Sequence, residues 1–77
     1  MELGHDTAMK IWERDYGNAQ EALDYAGRRM VKSAYGQTTS EVGWDIDHKT
    51  PVSKGGSNEM ANLRAVNIKT NRERGNK

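Results

Sequence analysis

Apolar residues in the first part of the chain recur at the spacing of a helix. They fall three or four residues apart and so line one face: Ala8, Met9, Ile11, Trp12 and Tyr16. Gly17 interrupts this pattern, and we expect the helix to end there. The stripe of tryptophan and methionine on this face is typical of core packing and does not indicate a cofactor site.

A second short helix is predicted between Asn18 and Gly27. Asn18 stands where an N-cap belongs, and Glu21 follows three residues later as in a capping box. Four apolar residues continue the helical spacing: Ala19, Ala22, Leu23 and Ala26. Beyond Gly27, the pattern of residues 28–42 fits either a continued helix or an extended arm that leads into a turn-rich stretch.

The second half of the chain changes to the alternation of short strands. In "GWDIDH", residues 43–48, apolar and polar side chains alternate, which predicts a strand. Pro51 cannot donate to a sheet, so we expect this strand to end near Lys49. The following "SKGGSN" is typical of a tight polar turn, "NLRAV" predicts a second strand, and "NIKTNRERGNK" predicts a polar, basic helix. The predicted order is strand, loop, strand, helix.

Length and composition restrict the chain to one small domain. A domain of 77 residues buries only about 60% of the surface of its unfolded chain, so its core must be compact. Cysteine is absent, which excludes disulfides and thiolate zinc sites and fits a cytoplasmic protein. No apolar run approaches the ~20 residues that span a bilayer, and no signal peptide is recognisable. We expect a monomeric α+β domain over residues 1–77, with no membrane contact.

The charges of this domain are unevenly distributed. Residues 1–27 carry two basic and six acidic residues, whereas ten basic and five acidic residues follow from Arg28 onward. This asymmetry indicates either that the second half contacts a polyanion or that the surface is merely charge-segregated. In the first case residues 1–27 act as a helical support, residues 28–42 as an arm or irregular segment, and residues 43–75 as the working unit.

The order of motifs in the second half resembles the HNH endonuclease family. "DHKTPVSKGGSN" begins at Asp47, "NL" follows fourteen residues after His48, and "TN" ends nine residues after Asn62. The resemblance covers residues 43–75 and, more loosely, a leader from "IWERDYGNAQ" onward. It implies the ββα-metal fold, preceded here by the two short helices. Asn71 replaces the final histidine of the motif, as in HNN variants, and the paired CxxC zinc clips of many members are missing.

The resemblance also implies an activity and the residues that carry it. It indicates a metal-dependent endonuclease in which Asp47 and Asn71 hold a cation and Asn62 ties the loop and orients His48. A histidine is suited to act as the general base because its ordinary pKa of ~6.5 leaves it largely neutral. One carboxylate and one amide oxygen favour a hard cation, Mg²⁺ or Mn²⁺, over Zn²⁺. Adjacent residues on a regular strand point to opposite faces, so we expect the strand to end or distort at His48.

DNA is the expected partner, and we predict that it is bound by four basic residues: Lys54, Arg64, Lys69 and Arg72. Asn67 has no predicted role. Each candidate also has an ordinary structural interpretation, since His48 fits a hydrogen-bonded turn and Asn62 and Asn71 fit a cap or a helix surface. Two other functions therefore stay open: a nucleic-acid-binding module without cleavage, and a small helical interaction protein. A separate protein that directs the domain to its DNA target also stays open.

Overall fold

A computed structural model describes residues 3–74 of the chain. It has two helices and two small antiparallel sheets, which confirms the α+β class. The elements in chain order are α1 (His5–Tyr16), β1 (Glu21–Leu23), β2 (Arg29–Val31), β3 (Trp44–His48), β4 (Leu63–Asn67) and α2 (Ile68–Arg74). Short 3-10 turns occupy Lys32–Ala34, Val52–Lys54 and Met60–Asn62.

The first predicted helix is confirmed as α1. Its buried face carries Ala8, Ile11 and Trp12, and the helix ends at Gly17, whose φ of 62° is readily adopted by glycine. The Trp12 ring lies 5.0 Å from the Trp44 ring of β3, measured between centroids. The α1 face therefore packs on the β3–β4 sheet, and the apolar stripe is core.

The second predicted helix is wrong, because residues 21–31 form a β-hairpin in which Ala22 pairs with Met30. The turn is held by Asp24, whose Oδ1 accepts hydrogen bonds from the backbone N–H of Ala26 at 3.0 Å and of Arg28 at 2.9 Å. An aspartate that bonds its own backbone in this way favours a turn over a helix. Pairing of β1 with β2 also buries Met30 completely, which outweighs the weak capping signal. Residues 28–42 are accordingly a strand, a 3-10 turn and further turns.

The strand–loop–strand–helix order of the second half is confirmed. β3 and β4 are antiparallel, with Trp44 opposite Asn67 and His48 opposite Leu63, and α2 follows β4 directly. Opposite residues of such a pair lie on the same face of the sheet. Trp44 and Leu63 therefore share the face that packs on α1, and Asp47 lies opposite Arg64 on the other face, which α2 contacts. Of the predicted site, this second face carries Asp47 and Arg64, whereas His48 has the parity of Trp44.

Within residues 3–74 no helix is long and apolar enough to cross a membrane.

Candidate metal and nucleic-acid site

Asp47, the predicted metal ligand, is buried and paired with two arginines. Its Oδ2 accepts hydrogen bonds from Arg64 Nε at 3.0 Å and from Arg74 Nη1 at 2.5 Å. Arg64 lies directly opposite on β4, and its guanidinium also stacks 3.9 Å from the centre of the Tyr25 ring. Arg74 reaches back from the last turn of α2 and also donates to the backbone carbonyl of His48 at 3.1 Å. The sequence-based prediction missed Arg74.

The second carboxylate oxygen of Asp47 is in a different situation. No described residue donates a hydrogen bond to Oδ1, yet the described part of the chain contains no buried side-chain oxygen or nitrogen without a partner. The hydrogen bonds that described residues donate to Asp47 therefore converge on Oδ2.

His48, the predicted general base, is the last residue of β3, so the strand ends where we expected. Its Nε2 lies 2.7 Å from the side-chain Oδ1 of Asn58. If Asn58 Oδ1 accepts this hydrogen bond, Nε2 carries the proton of the neutral ring and Nδ1 keeps its lone pair. The side chains of Asp47 and His48 contact different residues, because the strand stays paired through His48 and adjacent positions alternate between its faces.

Asn62 closes the loop of residues 49–62 between the two strands. Its Oδ1 accepts a hydrogen bond from Thr50 N at 2.8 Å, and its Nδ2 donates to the carbonyls of Thr50 at 3.1 Å and Ser57 at 2.7 Å. The backbone carbonyl of Asn62 also accepts from Lys49 N at 2.7 Å. Asn62 therefore holds the loop closed, and its backbone contact with Lys49 is one residue from His48.

Glycine is required in this loop for a close approach. A Cβ at Gly56 would lie 1.8 Å from the carbonyl oxygen of Thr50, and Gly55 has a φ of 88°. The two glycines let the chain fold back on Thr50, next to the amide of Asn62. The glycine pair predicted from sequence as a turn thus shapes the loop that carries Asn58.

Asn71, the second predicted metal ligand, lies on the inner face of α2. Ile68 and Thr70 are buried and Asn71 and Arg74 partly buried, whereas Lys69, Arg72 and Glu73 are exposed. Residues three apart are neighbours on a helix surface, so Asn71 lies one turn before the arginine that contacts Asp47. Helical spacing alone relates Asn71 to Arg74, and no side-chain hydrogen bond to another residue between 3 and 74 fixes the amide of Asn71.

Asn67, which had no predicted role, is a structural centre of the fold. It is the last residue of β4 and only 1% exposed. Its Nδ2 donates to the carbonyls of Arg29 and Glu41, both at 2.9 Å, and its Oδ1 accepts from Lys69 N at 2.8 Å, as an N-cap does. An asparagine just before a polar helix is the signal that could have predicted this role.

Asp24 joins the hairpin to the start of α2 and was also missed. Its Oδ2 accepts a hydrogen bond from Asn67 N at 3.0 Å, beside the two turn contacts made by Oδ1. Burial is the largest influence on its pKa and raises it. Hydrogen bonds from the hydroxyl of Thr70 and from the backbone of Arg28, Asn67 and Ala26 together outweigh burial, so the pKa of Asp24 is lowered from its ordinary value.

Ion pairs within the domain occupy much of its basic half. Nine basic residues from Arg28 onward are described, and six of them pair with carboxylates: Arg28, Arg29, Lys32, Arg64, Lys69 and Arg74. Of the four predicted DNA contacts, Arg64 is bound to Asp47, and Lys69 Nζ is 2.5 Å from Glu41 Oε2. Lys54 and Arg72 are exposed and form no ion pair with any residue between 3 and 74.

Residues 3–74 show no ready-made metal site. In the described part of the chain, no group of three histidine, cysteine or acidic side chains could hold a metal ion. The two ligands predicted from the sequence, Asp47 and Asn71, would supply one carboxylate and one amide oxygen. Mg²⁺ and Mn²⁺ accept so few protein ligands because they keep several waters, whereas a structural Zn²⁺ site needs four ligands.

No family model, curated protein or solved structure matches this chain.

Proposed function

We propose that the domain is a metal-dependent endonuclease of the HNH type, in its HNN form, that hydrolyses phosphodiester bonds in DNA. The observation that carries the proposal is the arrangement around the end of β3. There His48 follows the buried Asp47, Asn62 ties the intervening loop, and Asn71 is partly buried on α2. The roles of these residues are those that the sequence resemblance implies.

In this proposal His48 accepts the proton of the attacking water at Nδ1, while Asn58 holds the opposite ring nitrogen. Asn62 keeps the loop closed, so the imidazole of His48 and the side chain of Asn58 keep their relative positions. Asp47 and Asn71 would hold the cation, and Mg²⁺ or Mn²⁺ would supply positive charge to the phosphate and the leaving oxygen when bound. Lys54 and Arg72 contact the DNA backbone through charge alone, without reading its sequence.

The test is a plasmid-nicking assay with Mg²⁺, Mn²⁺, Zn²⁺ and EDTA. We expect nicking with Mg²⁺ or Mn²⁺ and none with EDTA. His48→Ala removes the base and should lower the rate by about 10²- to 10⁴-fold. The variant should still fold and bind Mn²⁺, because His48 is not a ligand. Asn58→Ala, which only frees the ring, should cost less and keep the same metal requirement. Unchanged nicking by His48→Ala would exclude His48 as the base.

A nucleic-acid-binding module without cleavage is the second candidate, and the two arginines on Asp47 favour it. A carboxylate that already has two guanidinium partners is a weaker metal ligand than a free one. This candidate predicts salt-dependent DNA binding with no nicking under any metal. The helical interaction protein has less support, because one of the two acidic helices on which it rested is a hairpin.

We also infer that the domain is a cytoplasmic monomer. The absence of cysteine supports the reducing compartment.

A further inference from the structure

Asp47 is the only carboxylate in residues 3–74 that pairs with two arginines. Arg64 Nε on β4 and Arg74 Nη1 on α2 donate to the same atom, Oδ2, at 3.0 and 2.5 Å. Both guanidiniums are permanently protonated, so this cluster carries two positive charges against one negative charge. It therefore has a surplus of one positive charge, whereas a one-to-one ion pair such as Arg29 with Glu21 has none.

The two ion pairs leave several donors of both arginines free. A guanidinium has five N–H donors. Arg64 uses only its Nε, and no residue between 3 and 74 accepts a hydrogen bond from either of its Nη atoms. Arg74 uses Nη1 for Asp47 and for the carbonyl of His48, and its Nη2 makes only a 3.5 Å contact with the carbonyl of Lys49. The side chains of Arg64 and Arg74 are 26% and 24% exposed, so both are in part accessible from solvent.

The guanidinium of Arg64 is also held in a fixed plane. Its Cζ lies 3.9 Å from the centre of the ring of Tyr25, a half-exposed residue of the hairpin turn. Stacking occupies one face of the guanidinium and leaves the N–H groups at its edge available for hydrogen bonds. An arginine whose orientation is set by a ring and a carboxylate loses little side-chain entropy when it binds an anion. The cluster is therefore preorganised in the way that an anion site requires.

We propose that Arg64 and Arg74 form a binding site for a phosphate group, which the DNA backbone supplies. A phosphodiester carries one negative charge, equal to the surplus of the cluster, and its oxygens accept the paired N–H donors that a guanidinium presents. The site lies at the end of β3, because Arg74 also contacts the carbonyl of His48. The inference rests on the DNA partner that both candidate functions share, and it needs no metal. Arg64 can thus contact DNA while it stays paired with Asp47.

Replacement of arginine by lysine separates paired hydrogen bonding from charge, because lysine keeps the positive charge but cannot donate two parallel hydrogen bonds. Three proteins are compared for binding to a fluorescently labelled DNA duplex at low salt with EDTA: the parent, Arg74→Lys and the control Arg29→Lys. Arg29 pairs with Glu21 on the hairpin, outside the cluster. We expect Arg74→Lys to bind about tenfold more weakly than the parent, the ratio that corresponds to loss of a charge-assisted hydrogen bond, and Arg29→Lys to change the affinity less than about twofold.

A second measurement uses the parent protein alone and decides the question should Arg74→Lys fail to fold. Inorganic phosphate is titrated into the protein, with sodium chloride of the same ionic strength as the reference, and the Nε–H NMR signals of Arg64 and Arg29 are followed. The two signals are matched, because both Nε–H groups donate to a carboxylate. We expect phosphate to shift the Arg64 signal to saturation and chloride to leave it unchanged, with no response from Arg29. The DNA duplex should shift the same Arg64 signal.

The outcomes separate this inference from the proposed function. If the parent binds the duplex and the Arg64 signal does not move, the phosphate site is wrong and the DNA partner stands. Inorganic phosphate that moves the signal in a protein with no affinity for the duplex would support the site and refute the DNA partner. A protein that responds to neither ligand would refute both. Equal affinity of the parent and a folded Arg74→Lys for the duplex would overturn the site that the two arginines share.

Discussion

Replacing Asp24 by asparagine tests whether one buried carboxylate holds the hairpin on α2. Asparagine has the same shape and can keep the two contacts of Oδ1 with Ala26 N and Arg28 N. Its amide nitrogen, however, would take the place of Asp24 Oδ2, which accepts a hydrogen bond from Asn67 N at 3.0 Å. Two hydrogen-bond donors would then face each other. The substitution therefore removes one hydrogen bond and the charge that strengthens the other two.

The expected loss follows from these contacts. A hydrogen bond to a charged group contributes about 1.5–3 kcal/mol, so Asp24→Asn should lower the free energy of unfolding by about 2 kcal/mol. Asp24→Ala removes the three backbone contacts and the contact with the Thr70 hydroxyl, and should cost about 3–4 kcal/mol. A domain of this size has a total stability of roughly 4–12 kcal/mol, so the loss is a large share of it. In thermal unfolding, each kcal/mol corresponds to a fall in Tm of about 4–8 °C.

The effect should also depend on pH. Because the pKa of Asp24 is lowered in the folded protein, its contribution is fully present above the pKa of the unfolded chain and disappears as pH falls through the folded-state value. The stability difference between the parent and Asp24→Asn should therefore be constant from pH 7 to about 5 and shrink below about pH 4.

Urea unfolding at several pH values measures this difference. Glu21→Gln is the control, because its ion pair with Arg29 is exposed and should contribute less than about 1 kcal/mol. Equal stability of the parent and Asp24→Asn at pH 7, or a difference that grows towards acid pH, would refute the role of the carboxylate.

Three further predictions concern the site. Asn71→Ala should raise the Mg²⁺ concentration needed for nicking, whereas Asn71→His should keep a working site and shift its preference towards Zn²⁺ or Ni²⁺, because imidazole suits these ions; harmless replacement of Asn71 would exclude it as a ligand. Asn67→Ala removes three hydrogen bonds and should lower the free energy of unfolding by about 3 kcal/mol, as measured by urea unfolding. The salt dependence of DNA binding should fall by about one unit of log–log slope in Lys54→Ala or Arg72→Ala and by less in Lys69→Ala, whose ammonium is paired; equal slopes in all variants would place the DNA elsewhere.

Local patterns were sufficient to predict α1 and the order of the second half. Helical spacing over twelve residues and a glycine stop define α1, and alternation around Trp44 defines β3. These signals are readable because each is repeated within one element. The turn with Gly55 and Gly56 follows from local sequence for the same reason, and so does the break near Pro51.

The tertiary structure alone decided the hairpin and the environment of Asp47. β1 and β2 have three residues each, too few for a strand period to outweigh a helical pattern, and their pairing is stabilised by burial of Met30 in a core built from other elements. Asp24 meets Asn67 across 43 positions, and Arg74 meets Asp47 across 27. Such contacts depend on how distant segments pack, which no local spacing encodes. The sequence by itself therefore identifies candidate ligands on neighbouring elements, whereas the packing of α2 against β3 determines that an arginine already binds one of them.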